Sequence, residues 1–208
     1  MASRPPVRKP PHRRPPRNGG AQRTAAAPQQ QRPEPPSMRR RLALLGYRLP
    51  EVTAPAFKYV PVVTHGGLAH VSGQVPWIAG GGAIMTPGKV GREATVEQAQ
   101  EAARACVLQA LAWLNQTLPG GLDEVERAIR MTGYVNSSPG FDQQPAVIDA
   151  ASEVLIKVFG QAGQHARTAI GVAELPRNAP VEIEFVFALR RPGPSQRPRP
   201  FPVVEKRK

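Results

Sequence analysis

Short runs of hydrophobic residues in the central part of the chain, several of them alternating with polar residues, predict β-strands. The first two runs are separated by the turn His65-Gly66-Gly67, which predicts a hairpin. The last two are linked by a Leu-Pro-Arg-Asn turn at residues 175–178, so an antiparallel return is expected there as well. The predicted strands are residues 57–63, 68–73, 125–136, 167–173 and 180–189.

Two longer segments carry apolar residues at the spacing of an amphipathic helix. The first begins at Thr95, whose side chain can cap the helix with Gln98 as the reciprocal partner, and it ends at the Pro-Gly-Gly sequence of residues 119–121. The second covers residues 145–159, with a proline in its first turn and Gly160 as its stop. Strands and helices therefore alternate along the central part of the chain.

The last predicted strand has one apolar face and one mixed face. Its apolar face carries Val181, Ile183, Phe185, Phe187 and Leu189, and its other face carries Glu182, Glu184, Val186 and Ala188. Two carboxylates followed by two small apolar residues are unusual on a solvent-exposed face. The pattern fits a sheet whose second face is covered by another subunit, with the acids at the edge of that contact.

Charge and proline content divide the 208-residue chain into three parts. Residues 1–41 carry eleven Arg or Lys and one acid, residues 190–208 carry seven and one, and residues 42–189 have a net charge of −3. The total charge of +13 therefore belongs to the two ends of the chain. We expect one domain at 42–189 between a basic, proline-rich arm and a basic tail, both disordered because they contain too little apolar surface to bury.

The basic ends have three interpretations. The composition favours solvated low-complexity segments. They can also be loose electrostatic arms for RNA, DNA or an acidic partner, and nucleic acid is expected as a partner only through them because the domain itself is acidic. Translation that starts at Met38 would leave out residues 1–37 altogether.

Several classes of site are excluded by the residues that the sequence lacks. Cys106 is the only cysteine, so no intrachain disulfide or cysteine metal cluster can form, which fits a reducing cytoplasm. It lies on the apolar stripe of the first helix, which predicts a small buried hydrophobe. The four histidines, His12, His65, His70 and His165, have no metal-ligand spacing, and there is no phosphate-binding glycine loop, so no metal or cofactor is expected.

The sequence also gives no sign of a membrane or export segment. No apolar stretch is long enough to span a membrane, and no hydrophobic segment follows the basic N-terminus as it does in a secretory signal. A cytoplasmic location without membrane contact is the expectation.

One constellation of residues carries candidate chemistry. An antiparallel return of the last strand would bring Arg167 within reach of Glu182 or Glu184. The residues alone favour a surface ion pair, which stabilises little. In a functional site, the arginine would bind a carboxylate in bidentate fashion, and a glutamate would orient or deprotonate water.

Two sequence blocks resemble the signatures of a known family. Residues 167–176, Arg-Thr-Ala-Ile-Gly-Val-Ala-Glu-Leu-Pro, are followed by Val-Glu-Ile-Glu at 181–184, and Val-Ser-Gly-Gln-Val-Pro occupies residues 71–76. Both blocks resemble the Rid family (reactive intermediate deaminases, also called YjgF-type). The resemblance covers residues 42–189 and points to a longer branch, which is described as chorismate-mutase-like and as endoribonucleases.

The resemblance implies an α+β fold in which two helices back one face of a single mixed sheet. Three subunits would pack their other sheet faces together, with active sites in the clefts between subunits. Arg167 matches the arginine that binds the substrate carboxylate, and Glu182 matches the glutamate that positions the hydrolytic water. Tyr59, Ser72 and Gly73 match residues that line the cleft.

Two positions depart from the family pattern. The family often has a cysteine two residues after the arginine, where this chain has Ala169. The family's cleft asparagine on the second helix falls near Asp149, whose charge would partly oppose an anionic substrate. The second departure affects the expected substrate more than the expected fold.

The resemblance implies a homotrimer that hydrolyses small 2-imino or 2-enamino acids, such as 2-iminopropanoate or 2-iminobutanoate, to 2-oxo acids and ammonia without a cofactor. Two other functions stay open. One is an RNA-binding protein or endoribonuclease that uses the basic ends, and the other is a non-catalytic trimer that binds small anionic metabolites in the same clefts. A chorismate mutase activity would rest on fold analogy alone.

Overall fold

The computed structural model describes residues 36–53, 57–78 and 82–190 of the chain. The predictions for the arm before residue 36 and for the tail after residue 190 lie outside these residues and stay predictions. The helices are α1 (Met38–Leu44), α2 (Val96–Thr117) and α3 (Gln144–Phe159), and the strands are β1 (Val62–His65), β2 (Leu68–Gln74), β3 (Val125–Asn136), β4 (Ala166–Val172) and β5 (Val181–Leu189).

The five strands form one mixed sheet in the order β1-β2-β5-β3-β4. All neighbouring pairs are antiparallel except β3 and β4, which are parallel and are connected through α3. The helix α2 contacts α3, β2 and β5, and α3 contacts β3 and β4, so the two long helices back the same sheet face. The predicted α+β fold with a single mixed sheet backed by two helices is confirmed.

Local capping sets the ends of the two long helices. Thr95 Oγ1 accepts a hydrogen bond from the backbone N–H of Gln98 (3.2 Å), and Gln98 Oε1 accepts one from the backbone N–H of Thr95 (2.9 Å). This is the reciprocal capping box that the sequence predicts. The helix α3 ends at Gly160, whose φ of 64° lies in the left-handed region that glycine adopts without strain.

The hydrophobic core lies between the sheet and the two long helices, and β5 runs through it. Val181, Ile183, Phe185 and Phe187 are buried on the helix side, as the alternation predicts. The rings of Phe185 and Phe187 stack with their centroids 5.9 Å apart. The intervening residues of β5 face the other side of the sheet, which no helix of the described residues covers.

The helix α1 spans the predicted domain boundary at residue 42. It begins after Ser37, whose hydroxyl accepts a hydrogen bond from the backbone of the first turn (3.4 Å), and its Leu42 is buried in the core. The backbone N–H of Met38 also donates to Asp123 Oδ1 (2.7 Å). Residues 38–41, which the sequence assigns to the disordered arm, are therefore helical because Leu42 and Asp123 anchor this segment to the domain.

The first predicted strand is wrong over part of its length. The strand β1 begins at Val62, whereas the sequence predicts a strand from residue 57, and residues 57–61 are irregular. Pro61 has no backbone N–H to donate to a ladder, which stops the strand from extending further towards the N-terminus.

The strand β5 runs antiparallel to β4, as predicted, but the expected pairing of these two strands is wrong. The strand β5 pairs with β2 and β3, and β3 lies between β4 and β5. The crossover through α3 places β4 parallel to β3 on its outer edge, and β5 then fills the position on the inner edge. A turn of a few residues therefore connects two strands that are not neighbours.

Among the described residues, no helix combines the length and the apolar composition needed to cross a membrane.

Candidate functional site

A bulge in β2 brings Gly73 against the side chain of Glu182. The pairing of β2 with β5 shifts register between Val71 and Gln74, which leaves Ser72 and Gly73 outside the regular ladder. A Cβ added to Gly73 would lie 2.9 Å from Cδ of Glu182 and still closer to its Oε1. Only glycine allows the carboxylate to lie this close to the backbone of the bulge.

The bulge also holds the segment that carries Tyr59. The hydroxyl of Ser72 donates to the carbonyl of Val60 (2.9 Å), and the backbone N–H of Ser72 donates to the carbonyl of Pro61 (2.9 Å). Tyr59 lies next to this anchor, and its side chain is exposed. We call Tyr59, Ser72, Gly73 and Glu182 the glutamate cluster.

Glu182 lies in an environment that disfavours its charge. Burial raises the pKa of the Glu182 carboxyl, and the neighbouring charge of Glu184 raises it further. Tyr134, which aligns with Glu182 across the strands, donates its hydroxyl to Glu184 Oε1 (3.3 Å). Burial also raises the pKa of Tyr134, as does the charge of Glu184. A carboxylate with a raised pKa is a better proton acceptor than an ordinary surface glutamate.

Arg167 takes part in a second hydrogen-bonded group. Its Nη1 is in contact with Asp149 Oδ1 and donates to the hydroxyl of Ser152 (3.1 Å). The Ser152 hydroxyl is 3.3 Å from His165 Nε2, and His165 Nδ1 is 2.7 Å from the carbonyl of Gly163. Because that carbonyl can only accept, Nδ1 carries a proton in this network. We call Asp149, Ser152, His165 and Arg167 the arginine cluster.

The two clusters are separate within one chain. Arg167 aligns with Met131 of β3, and Glu182 aligns with Tyr134, three residues further along the same strand. Two strand spacings of about 4.8 Å and three residue steps of about 3.3 Å place the Cα atoms of Arg167 and Glu182 on the order of 14 Å apart. Arg167 reaches towards α3, whereas Glu182 alternates with the buried residues of β5 and faces the uncovered side.

The prediction that Arg167 comes within reach of Glu182 or Glu184 is therefore wrong for a single chain. It assumed that β4 and β5 are neighbours, and the presence of β3 between them separates the two side chains. The structure instead pairs Arg167 with Asp149, which the family resemblance places near the position of the cleft asparagine.

Three residues in or beside these clusters could not be identified from the sequence patterns used above. Ser152 lies three residues after Asp149 in α3, so helical spacing could have placed the two on one face. His165 lies two residues before Arg167, on the same side of the chain if the strand alternation extends to it. The position of Tyr134 beside the two glutamates depends on strand order, which local patterns do not contain.

Neither Cys106 nor the position of Ala169 supplies an accessible thiol to these clusters. Cys106 is fully buried in α2, and burial raises the pKa of its thiol well above the ordinary value, so the predicted small buried hydrophobe is confirmed. Ala169 packs partly buried against the core. In the described part of the chain, no three His, Cys, Asp or Glu side chains come together in a way that could hold a metal ion.

Comparison with known proteins gives consistent matches over the described domain. A sequence profile for the family described as "YjgF/chorismate_mutase-like, putative endoribonuclease" matches residues 39–189. Protein TCP17 of Trypanosoma cruzi is 44% identical over 149 residues, which cover 71% of this chain and 91% of that protein.

Solved structures extend the match to three dimensions. The protein Atu1372 of Agrobacterium tumefaciens, described as having unknown function, is 40% identical with a TM-score of 0.66 and covers 73% of this chain and 91% of its own. A structure described as a "putative endoribonuclease" of Shewanella oneidensis MR-1 is 30% identical with a TM-score of 0.68, over 73% of this chain and 99% of its own.

Proposed function

This chain belongs to the YjgF/chorismate-mutase-like family, and on that premise we propose that it hydrolyses small 2-imino or 2-enamino acids to 2-oxo acids and ammonia. The observation that carries the proposal is the half-buried Glu182 carboxylate, which packs against Gly73 and has a raised pKa. The chain also retains Arg167 at the position that matches the carboxylate-binding arginine. These are the two groups that the reaction needs.

The proposed reaction needs positioning and proton transfer more than covalent chemistry. Water adds to the carbon of the protonated imine while Glu182 accepts one of the water protons, and a neutral carbinolamine forms. Glu182 then returns the proton to the nitrogen. The C–N bond breaks and ammonia leaves, while the hydroxyl proton of the carbinolamine passes to Glu182 and the C=O bond of the 2-oxo acid forms. Arg167 binds the substrate carboxylate through parallel N–H donors, which fixes the imine carbon relative to the water. Tyr59 and Ser72 line the same cleft.

We propose that each site is built from two copies of the chain. The uncovered face of the sheet carries exposed Val63 and Ile170 together with the partly buried Val186, which is the composition of a contact surface. Arg167 lies on the edge strand β4, and in such an assembly its side chain would lie beside the glutamate cluster of a neighbouring copy. Three copies packed through this face would form three such clefts, in agreement with the predicted homotrimer.

The test is the release of ammonia and 2-oxo acid from freshly generated 2-iminopropanoate by the full chain. Arg167→Ala should remove most of the acceleration over the buffer rate, because the carboxylate is no longer held. Arg104→Ala is the matched control, since Arg104 is paired with Glu101 on the outer face of α2. Undiminished turnover by Arg167→Ala, with Arg104→Ala also active, contradicts this assignment.

An RNA-directed function is the second candidate, and it is favoured by the endoribonuclease description of the family and of one relative together with the basic ends of the chain. Removal of residues 1–35 and 191–208 leaves α1 and its cap intact and should abolish RNA binding without affecting imine hydrolysis. RNA cleavage by the truncated chain would instead place the ribonuclease activity in the domain. Arg167-dependent binding of 2-oxo acids with no turnover would favour a non-catalytic metabolite-binding protein.

A further inference from the structure

Asp149 occupies one end of the guanidinium group that the proposed function assigns to substrate binding. Both contacts of Arg167 within the arginine cluster use Nη1, which meets Asp149 and Ser152. The edge formed by Nη2 and Nε takes no part in these contacts and can still donate two parallel hydrogen bonds to a carboxylate. The Arg167 side chain is 25% exposed and that of Asp149 is 62% exposed, so a ligand can reach both.

The ion pair changes the charge that a substrate meets. Arg167 and Asp149 together are neutral, so a ligand with one carboxylate binds the free edge of the arginine and meets the charge of Asp149 beside it. Of the remaining neighbours, Ser152 is uncharged, and both ring nitrogens of His165 are engaged, with the Ser152 hydroxyl and the Gly163 carbonyl. A second carboxylate on the ligand would find no unpaired cation in the arginine cluster and would be repelled by Asp149.

We propose that Asp149 is a specificity residue that favours 2-imino acids with a single carboxylate over those with a second one. The proposal rests on the proposed function only in taking Arg167 as the residue that binds the substrate carboxylate. It assigns a role to Asp149, one of the two positions where this chain departs from the family pattern. The substrate class is then a monocarboxylic imine with a neutral or hydrogen-bond-donating side chain.

The test compares two stable 2-oxo acids as ligands of the full chain, 2-oxobutanoate with one carboxylate and 2-oxoglutarate with two. Titration calorimetry should give wild-type protein a clear preference for 2-oxobutanoate. Asp149→Asn should increase the affinity for 2-oxoglutarate by about tenfold and that for 2-oxobutanoate by only about threefold, since a charge at a largely exposed position acts through solvent. Thermal melting of the variant checks that the fold is intact.

Glu153→Gln provides the matched control, because Glu153 is the next acid of α3 and pairs with Lys157 (3.7 Å) instead of Arg167. It should leave the ratio of the two affinities unchanged. An unchanged ratio in Asp149→Asn, an equal shift in both variants, or no binding of either oxo acid overturns the proposal. A shifted ratio of the two affinities without imine turnover supports the specificity role of Asp149 and rejects the deaminase function. Imine turnover with an unshifted ratio rejects the specificity role and supports the deaminase function.

Discussion

Replacement of Gly73 by alanine places a methyl group against the Glu182 carboxylate. The added Cβ would lie 2.9 Å from Cδ and 3.1 Å from Cγ of Glu182, and nearer still to Oε1. Ordinary contacts between carbon atoms are about 3.5–4.0 Å, so the carboxyl group has to move by roughly 1 Å.

The fold should tolerate this displacement better than the catalysis does. Gly73 does not have a positive φ, so the backbone accepts alanine, and the atoms in the way belong to the flexible end of a side chain. A shifted rotamer costs about 0.5–1.5 kcal/mol, which for a domain of this size lowers the melting temperature by only a few degrees. A displacement of about 1 Å in a positioning group can reduce the rate about a hundredfold. We therefore expect kcat/KM for imine hydrolysis to fall about a hundredfold in Gly73→Ala.

The assay is ammonia release from freshly generated 2-iminopropanoate, with melting temperature measured in parallel. Gly82→Ala is the control, because a Cβ added at Gly82 meets no atom of the described residues within 4 Å. It should match wild-type protein in both measurements. Full activity in Gly73→Ala would show that the position of the Glu182 carboxylate does not matter for turnover. Loss of folding would show that the side chain cannot move aside as argued.

Three further predictions concern Glu182, its neighbour Glu184 and the buried thiol of Cys106. The pKa of Glu182 is raised in the folded chain, so the folded state loses stability as pH rises through that pKa. The Glu182→Gln variant should therefore melt at a higher temperature than wild type near neutral pH, and the two should melt at the same temperature in acid. Glu184→Gln should lower the raised pKa of Glu182 in part, because burial remains, and should move the acidic limb of the kcat/KM profile to lower pH; an unmoved limb contradicts the coupling. Cys106 should react with a thiol reagent only after denaturation, and rapid modification of the native protein would contradict its burial.

The elements that could be predicted from the sequence are those set by neighbouring residues. Thr95 and Gln98 define the start of α2 because both halves of the capping box lie within four positions of the chain. The alternation of β5 identifies its buried face because each inward residue is two positions from the next. Gly160 ends α3 because no other residue adopts its φ as readily.

The features that could not be predicted depend on strand order and on contacts distant in sequence. The turn at residues 175–178 suggests a hairpin, but the pairing of β5 with β3 decides which side chains meet Arg167. The contact of Arg167 with Asp149 arises because α3 packs on the sheet face towards which Arg167 points. The family resemblance names Arg167 and Glu182 as partners but does not give their separation in one chain.

The most direct test of the account is the mixing of two inactive variants. If Arg167 of one copy and Glu182 of another form one site, Arg167→Ala and Glu182→Gln should each lack activity on 2-iminopropanoate. When the two are unfolded together and refolded as mixed trimers, some interfaces receive both intact residues, and about one quarter of the sites should be restored at equal mixing. Recovery of activity to about that level is the predicted result. Mixed assemblies that stay inactive would contradict the account, as would an Arg167→Ala variant with wild-type activity on its own.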